Sequence, residues 1–473
     1  MQKNKVLELQ KNIKVNMQIK KHCLLLLLAA WVSAPVVAQK TEPVKTYYDS
    51  LHQQLKEEYN LVARADTKLI EGAYKSYHQN GQLASMGDFE EGKKNGRFTG
   101  YYASGKKQIE IGYAEGSKEG KFTIYHPNGE MSQRGVYKND SLTGTVEVYD
   151  NQGRILKKSD FVRDIVHGKV FLYFLSGKIK QESDFVQGRA HGVTKTFYPS
   201  EKLRKEEAYK KGKPDGFYKT YFENGQVQVS GFNVNGKKEG AYIQYAADGK
   251  ILTKAFYVKD RLDKEFIRNY RNSQLQQRSY YKLGFKEGKE VLFYKDGTKK
   301  RESEYKRKEL DQTHTQYYPN GKVKAKIAYQ KGKKYGTWKY YHPNGNIKTE
   351  EPYVEGKVSG IKKTYNQDGK LIRAETYKVM RMYGAVRNKN RSVKQGLTKI
   401  YAPDGQVLEE IYYRRDNKYG RYKSYYPTGK VKAQGAYFYN NKNGTWYLYN
   451  VHGKRVKMIQ YKAGKVVSEK ELK

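Results

Sequence analysis

Gly336-Thr-Trp-Lys-Tyr-Tyr-His-Pro-Asn-Gly345-Asn-Ile-Lys-Thr-Glu-Glu-Pro-Tyr353-Val-Glu-Gly356 sets two short strand-like runs around a Pro-Asn-Gly turn. Asn-Gly or Asp-Gly between such runs is the strongest short-range hairpin signal, because primed turns require positive φ. The same turn is written Pro-Asn-Gly at 127–129 and 319–321, Glu-Asn-Gly at 223–225, and Asp-Gly from 248, 296, 368 and 404. Its glycine recurs every 24 residues, at Gly81, Gly105, Gly129, Gly153 and Gly177, then at Gly225, Gly249, Gly297, Gly321, Gly345 and Gly369; Glu201 and Ser273 keep the grid where glycine is missing. A period of this length marks an array of stacked supersecondary units. Each unit reads as one β-hairpin.

Aromatic residues fix the register. One ring lies four residues before the turn glycine (Tyr77, Tyr101, Tyr125, Tyr149, Tyr173, Phe197) and another eight after it (Phe89, Tyr113, Tyr137, Phe161, Phe185, Tyr209). A further glycine, fifteen after the turn, reads as the opening of the next hairpin, as at Gly96, Gly120, Gly144 and Gly336. Val323, Ala325 and Ile327 alternate with Lys322, Lys324 and Lys326, the period-2 pattern of a strand with one drier face. With only 37% hydrophobic residues a large globular core is excluded, so ring ladders and backbone pairing must hold the sheet. The expected fold is all-β, an elongated, twisted antiparallel sheet of tandem 24-residue hairpins over 72–377, with further repeats over 396–473.

Between these blocks the glycine after Gly369 is Gly405, one unit plus twelve residues. The added segment, 378–395, carries Arg381, Arg387, Lys389, Arg391 and Lys394 and no acid. Insertions in repeat arrays gather on one face, so these five cations are the candidate contacts for an anionic partner. At the units around 201, 273 and 297 one or more marks are missing, and Lys264 and Gln312 replace the opening glycine, which predicts kinks there.

Residues 1–38 differ in kind. Lys20 and Lys21 precede Leu24–Leu28, Ala29, Ala30, Trp31 and Val32, and the run closes with Val36-Val37-Ala38. A basic flank, a short apolar stretch and a small-residue exit describe a cleaved secretory signal, with Met17 as an alternative start. The apolar run is too short for a comfortable span, so no transmembrane segment is expected in the mature chain. Cys23, the sole cysteine, lies inside that signal; disulfides, thiol catalysis and thiolate metal sites are thereby excluded from the mature chain. Residues 39–71 space Tyr48, Leu51, Leu55, Tyr59 and Val62 as on a helix, and predict a short amphipathic N-terminal cap.

The Gly-x-x-x-x-Tyr-x-x-Asn-Gly core with its downstream Tyr-x-x-Gly-Lys resembles the MORN repeat variant of the bacterial YwqK-type antitoxin family, across nearly all of residues 72–464. The resemblance implies an elongated sheet of successive hairpins. It further implies scaffolding, lipid or protein contact, or neutralisation of a toxin polypeptide.

The formal charge is +43; residues 1–38 hold six lysines and one glutamate, so their loss leaves +38. Such a surface attracts anionic lipid, acidic polysaccharide or an acidic protein, while strand lysines also keep an open sheet from pairing edge to edge. Nucleic acid is disfavoured, because the rings occupy structural grid positions and an exported protein rarely meets it. His78, His126 and His342 share a turn position in units that are not neighbours and read as turn fillers; no catalytic motif, cofactor loop or metal cluster is present. The sequence reading is an exported, non-enzymatic scaffold of the periplasm, outer envelope or extracellular space, using a cationic, Tyr-rich sheet to bind a protein partner or an anionic lipid or polysaccharide surface of the envelope or membrane. An antitoxin-like or immunity protein is the main alternative, and an accessory module of a surface enzyme a further one.

Overall fold

The computed structural model describes residues 40–382 and 389–473. The segment read as a secretory signal and Arg387 lie outside these residues. The chain divides into two compact units, one ending at Ser117 and one beginning at Lys118. Each is an antiparallel sheet of successive hairpins, and among the described residues there is no helix.

In the first unit β1 (Thr41–Tyr47), β2 (Leu55–Arg64), β3 (Thr67–Tyr77), β4 (Leu83–Glu90), β5 (Lys93–Tyr101) and β6 (Lys107–Ala114) pair in chain order. The helical cap is therefore replaced by β1 and β2. The apparent helical spacing is cut by a turn in which the Asp49 carboxylate accepts from the Gln53 and Gln54 amides at 3.0 and 2.6 Å. A helix this short is marginal alone. As a strand, by contrast, β2 buries Val62 to 2% exposure and stacks Tyr59 on Tyr74 of β3, ring centroids 6.1 Å apart. The ladder continues through Tyr74–Phe89, Phe89–Phe98 and Phe98–Tyr113 at 5.4, 5.5 and 5.2 Å.

The second unit repeats this pattern. Across one hairpin Trp338 faces Glu351, Lys339 faces Glu350 and Tyr340 faces Thr349, so alternate residues divide between two faces. One face is the core: Ala325 (1% exposed), Ile327, Trp338 and Tyr353 are buried together, while Lys324 and Lys326 stay exposed, as the alternation predicts. Trp338–Tyr353 (4.6 Å) and Tyr329–Trp338 (5.3 Å) continue the ring ladder. The ring four before the turn glycine lies on the opposite face. There Tyr365 Oη donates to Glu350 (2.9 Å), whose carboxylate also meets Lys339 Nζ (3.0 Å).

The turns differ from the sequence reading. At Pro-Asn-Gly only the glycine has positive φ, as at Gly345 (99°), and the bonds His342 N to Asn346 O and Gly345 N to His342 O close a three-residue loop. The primed two-residue turns are the Xaa-Gly pairs half a unit away, such as Lys331 (φ 48°) and Gly332 (φ 72°). Nor does the glycine fifteen after the turn open a hairpin; it sits within the second strand beside a β-bulge, as at Gly288 (φ 75°) and Gly336 (φ 66°). Where glycine is missing, Lys264, Gln312, Glu201 and Ser273 take the same left-handed conformation (φ 62°, 58°, 68° and 69°), and strand pairing runs on around them.

Candidate functional surface

The twelve extra residues lengthen one hairpin. Its strands, Leu371–Met382 and Lys389–Tyr401, keep the pairing Tyr377–Lys394 that corresponds to Tyr353–Val358 elsewhere, then continue to Met382–Lys389. This divides the five predicted contact residues. Arg381 is exposed near the end of the first strand, and Lys389 begins the second. Arg391 is exposed but pairs with Asp416 at 2.7 Å. Lys394 is half-buried on the core face, 2.7 Å from the 8%-exposed Glu375 carboxylate and 5.2 Å from the Tyr413 ring centroid. Lys394 is thus a repeat position, shared with Lys334 over Trp338 (4.2 Å) and Lys442 over Trp446 (4.6 Å), and its charge is already compensated.

The histidines prove to be more than fillers. His78, His126 and His342 each place Nε2 within 2.9–3.2 Å of the backbone oxygen 23 residues later. In other units the same grid position is a tyrosine whose hydroxyl donates to the equivalent oxygen, as in Tyr198–Tyr221 (2.7 Å) and Tyr318–Tyr341 (2.8 Å). The turn asparagine adds a second link, for instance Asn320 Nδ2 to Pro343 O at 3.1 Å. Successive loops are therefore stapled together.

Between the units at 273 and 321 the ring ladder gives way to buried polar groups. Glu290, 1% exposed, meets Lys286 (2.5 Å), Arg301 (2.8 Å) and Ser279 (3.2 Å). Burial opposes its charge, but the hydrogen bonds and charges of Lys286 and Arg301 prevail and hold its carboxyl below the usual range. Ser303 Oγ lies 2.8 Å from His314 Nδ1, and burial followed by the Arg301 charge holds that imidazole neutral to lower pH than usual. A serine bonded to histidine is the chemistry of an activated nucleophile. Here, however, Ser303 is 1% exposed in mid-strand, whereas a reacting nucleophile needs to meet its substrate.

A different row of residues faces outward. Three residues after the turn glycine an exposed cation lies over the ring three residues before it: Lys180 over Phe174 (5.9 Å), Arg204 over Tyr198 (5.8 Å), Lys300 over Tyr294 (5.5 Å), Lys324 over Tyr318 (5.8 Å) and Lys432 over Tyr426 (5.8 Å). Among the described residues none of these five cations has a carboxylate within ion-pair distance. The sequence carries the signal as ring-x-x-turn-x-x-cation, which reading each ring series separately misses.

Eight segments match the MORN repeat variant. They are residues 70–91, 118–139, 166–187, 190–211, 313–331, 334–355, 394–415 and 418–440. No curated protein matches the chain. Similar solved structures include the TcdB2-TccC3-Cdc42 crystal structure, 13% identical over 89% of this chain and 26% of that chain with a TM-score of 0.13. Another is the Photorhabdus luminescens Tc holotoxin pore, 12% identical over 86% and 30%, with a TM-score of 0.12. The chain thus spans between a quarter and a third of the length of those chains, and at these TM-scores neither establishes a shared fold. No helix among the described residues is long and apolar enough to cross a membrane.

Proposed function

We propose that the chain is an exported, non-enzymatic scaffold whose cationic, Tyr-rich repeat surface binds the anionic envelope. The observation that carries this reading is the recurring row of exposed, carboxylate-free cations on ring platforms, from Lys180 to Lys432, presented on a chain of formal charge +43. Such a row attracts polyanions in many equivalent registers, and its attraction falls as salt screens it. Export is inferred from the signal-like residues 1–38. The enzyme reading finds no support in the buried Ser303–His314 pair. The YwqK-type neutraliser reading predicts a different partner, a single polypeptide held by desolvated contacts.

The test is crosslinking of the full chain in cells, followed by capture and washing at low salt and at about 1 M salt, where screening acts within about 3 Å. Envelope lipid or polysaccharide, bound at many sites and released by salt, is expected. One stoichiometric polypeptide that survives the high-salt wash would replace this reading with the neutraliser.

A further inference from the structure

In the second unit, two of the cation–ring pairs lie side by side and line one groove. Its volume is about 580 Å³, within the roughly 300–1,000 Å³ of small-ligand sites. Phe174 with Lys180 and Tyr198 with Arg204 come from successive units, the second pair 24 residues after the first. The Tyr198 ring is fixed in place by its hydroxyl bond to Tyr221 O (2.7 Å), and Tyr221 also lines the groove.

Five residues before the turn position the two units carry Thr196 and Thr220, whose short side chains line the groove where another unit carries the ring of Tyr340. Amides stand beside these hydroxyls: Gln181, bonded to Ser183 (2.9 Å), and Gln228, within 3.3 Å of Thr220 Oγ1. Lys205, also on the lining, is neutralised by Glu207 at 2.6 Å. Lys180 and Arg204 are not so paired, and are the charges left for a ligand.

Rings, hydroxyls, amides and two uncompensated cations in one groove match the chemistry of an acidic sugar. The apolar face of a pyranose stacks on an aromatic ring, its hydroxyls pair with amides and threonines, and its carboxylate meets lysine or arginine. Spacing points the same way. Neighbouring strands are about 4.8 Å apart, so successive two-stranded units present equivalent groups roughly 9.6 Å apart. That matches the rise of one disaccharide in an extended β-linked chain. We propose that the groove formed by Phe174, Lys180, Tyr198 and Arg204 binds a stretch of acidic polysaccharide, one disaccharide per repeat unit. This rests on the anionic-envelope reading above and names its ligand.

Calorimetric titration of the full chain tests it, with a β-1,4-linked glucuronic acid hexamer, the neutral cellohexaose and inorganic phosphate as separate probes. The acidic hexamer should bind and cellohexaose should not. Joint Lys180→Ala and Arg204→Ala substitution should weaken binding about tenfold or more, as loss of two charge-assisted contacts implies. Thr220→Tyr, a ring the fold already accommodates at the grid position of Tyr340, should fill the groove and abolish binding while circular dichroism stays unchanged. Lys237→Ala, an exposed cation outside both the groove and the row of cation–ring pairs, should leave the hexamer affinity nearly unaltered. Equal losses at Lys237 and in the groove, equal affinity for cellohexaose, or displacement of the hexamer by phosphate alone would overturn the proposal. If envelope material is still captured in cells but the hexamer is ignored, the groove assignment falls and the scaffold reading stands; if neither binds, both fall.

Discussion

At Lys264 and Gln312 a long side chain holds a left-handed backbone (φ 62° and 58°) that fourteen other units, from Gly72 to Gly444, give to glycine. That conformation costs an L residue about 1–2 kcal/mol, part of which glycine gives back through the freedom it loses on folding. Gln312→Gly is therefore expected to raise stability by up to about 1 kcal/mol, read as a higher urea midpoint at unchanged slope. An unmoved midpoint would show that the glutamine makes a compensating contact. The reverse experiment is Gly135→Ala. Gly135 has no need of positive φ, but a β-carbon there would meet Phe122 Cε1 at 2.7 Å and Val146 Cγ2 at 2.9 Å, and both side chains are 3% exposed. Overpacking of this kind costs about 1–3 kcal/mol, so the midpoint should drop. Glycine thus has two separate uses here, one torsional and one spatial.

At the level of the hairpin, the two faces titrate differently from free side chains. Tyr149, Tyr209, Tyr221, Tyr365 and Tyr425 are pushed up to about 12, first by burial and then by donation to Glu147, Glu207, Glu206, Glu350 and Glu410. The folded value lies above the usual tyrosine value of 10, so the stability these groups contribute is complete below pH 10 and is lost as pH rises towards about 12. Glu147 shows the opposite sign: burial alone would raise it, but hydrogen bonds from Lys158, Arg134 and Tyr149 hold it at about 2. Its contribution is present above pH 4.5 and fades as pH falls towards about 2. In alkaline titration the phenolate absorbance of the native chain should lag that of the denatured chain; coincident curves would refute the face assignment. Much of this hairpin was legible in advance, because glycine period and lysine–apolar alternation are local patterns. Several features were not. Which turn is primed depends on φ at two residues, and Asn344 gives no sign that only Gly345 turns left-handed. The helical spacing from Tyr48 to Val62 was real as a spacing, but tertiary pairing with β3 overrode it. The role of Lys394 was hidden because Glu375 and Tyr413 lie far from it in sequence and meet it only across strands. The groove was hidden for a similar reason, since Phe174 and Lys180 come beside Tyr198 and Arg204 only when the strands are paired.

For the molecule as a whole, stability is spread over neighbour-to-neighbour interfaces, with no single centre, as in other linear arrays. Removing one whole repeat, residues 346–369, joins Gly345 to Lys370 at equivalent positions, and far-ultraviolet circular dichroism per residue should be unchanged. Removing Ala325 alone shifts the rest of its strand by one and turns Lys326 towards the core and Ile327 towards solvent, which should unfold that region in hydrogen exchange. If the first deletion proved as damaging as the second, the interface picture would be wrong. The extended hairpin obeys the same arithmetic: Tyr377 still faces Lys394, so the added length leaves the register of the described strands on either side unchanged. The loop staples give this a further meaning. Since each His, Tyr or Asn reaches only as far as the following loop, the heritable cassette is the single repeat, and recombination between copies can change copy number without asking any distant residue to change with it.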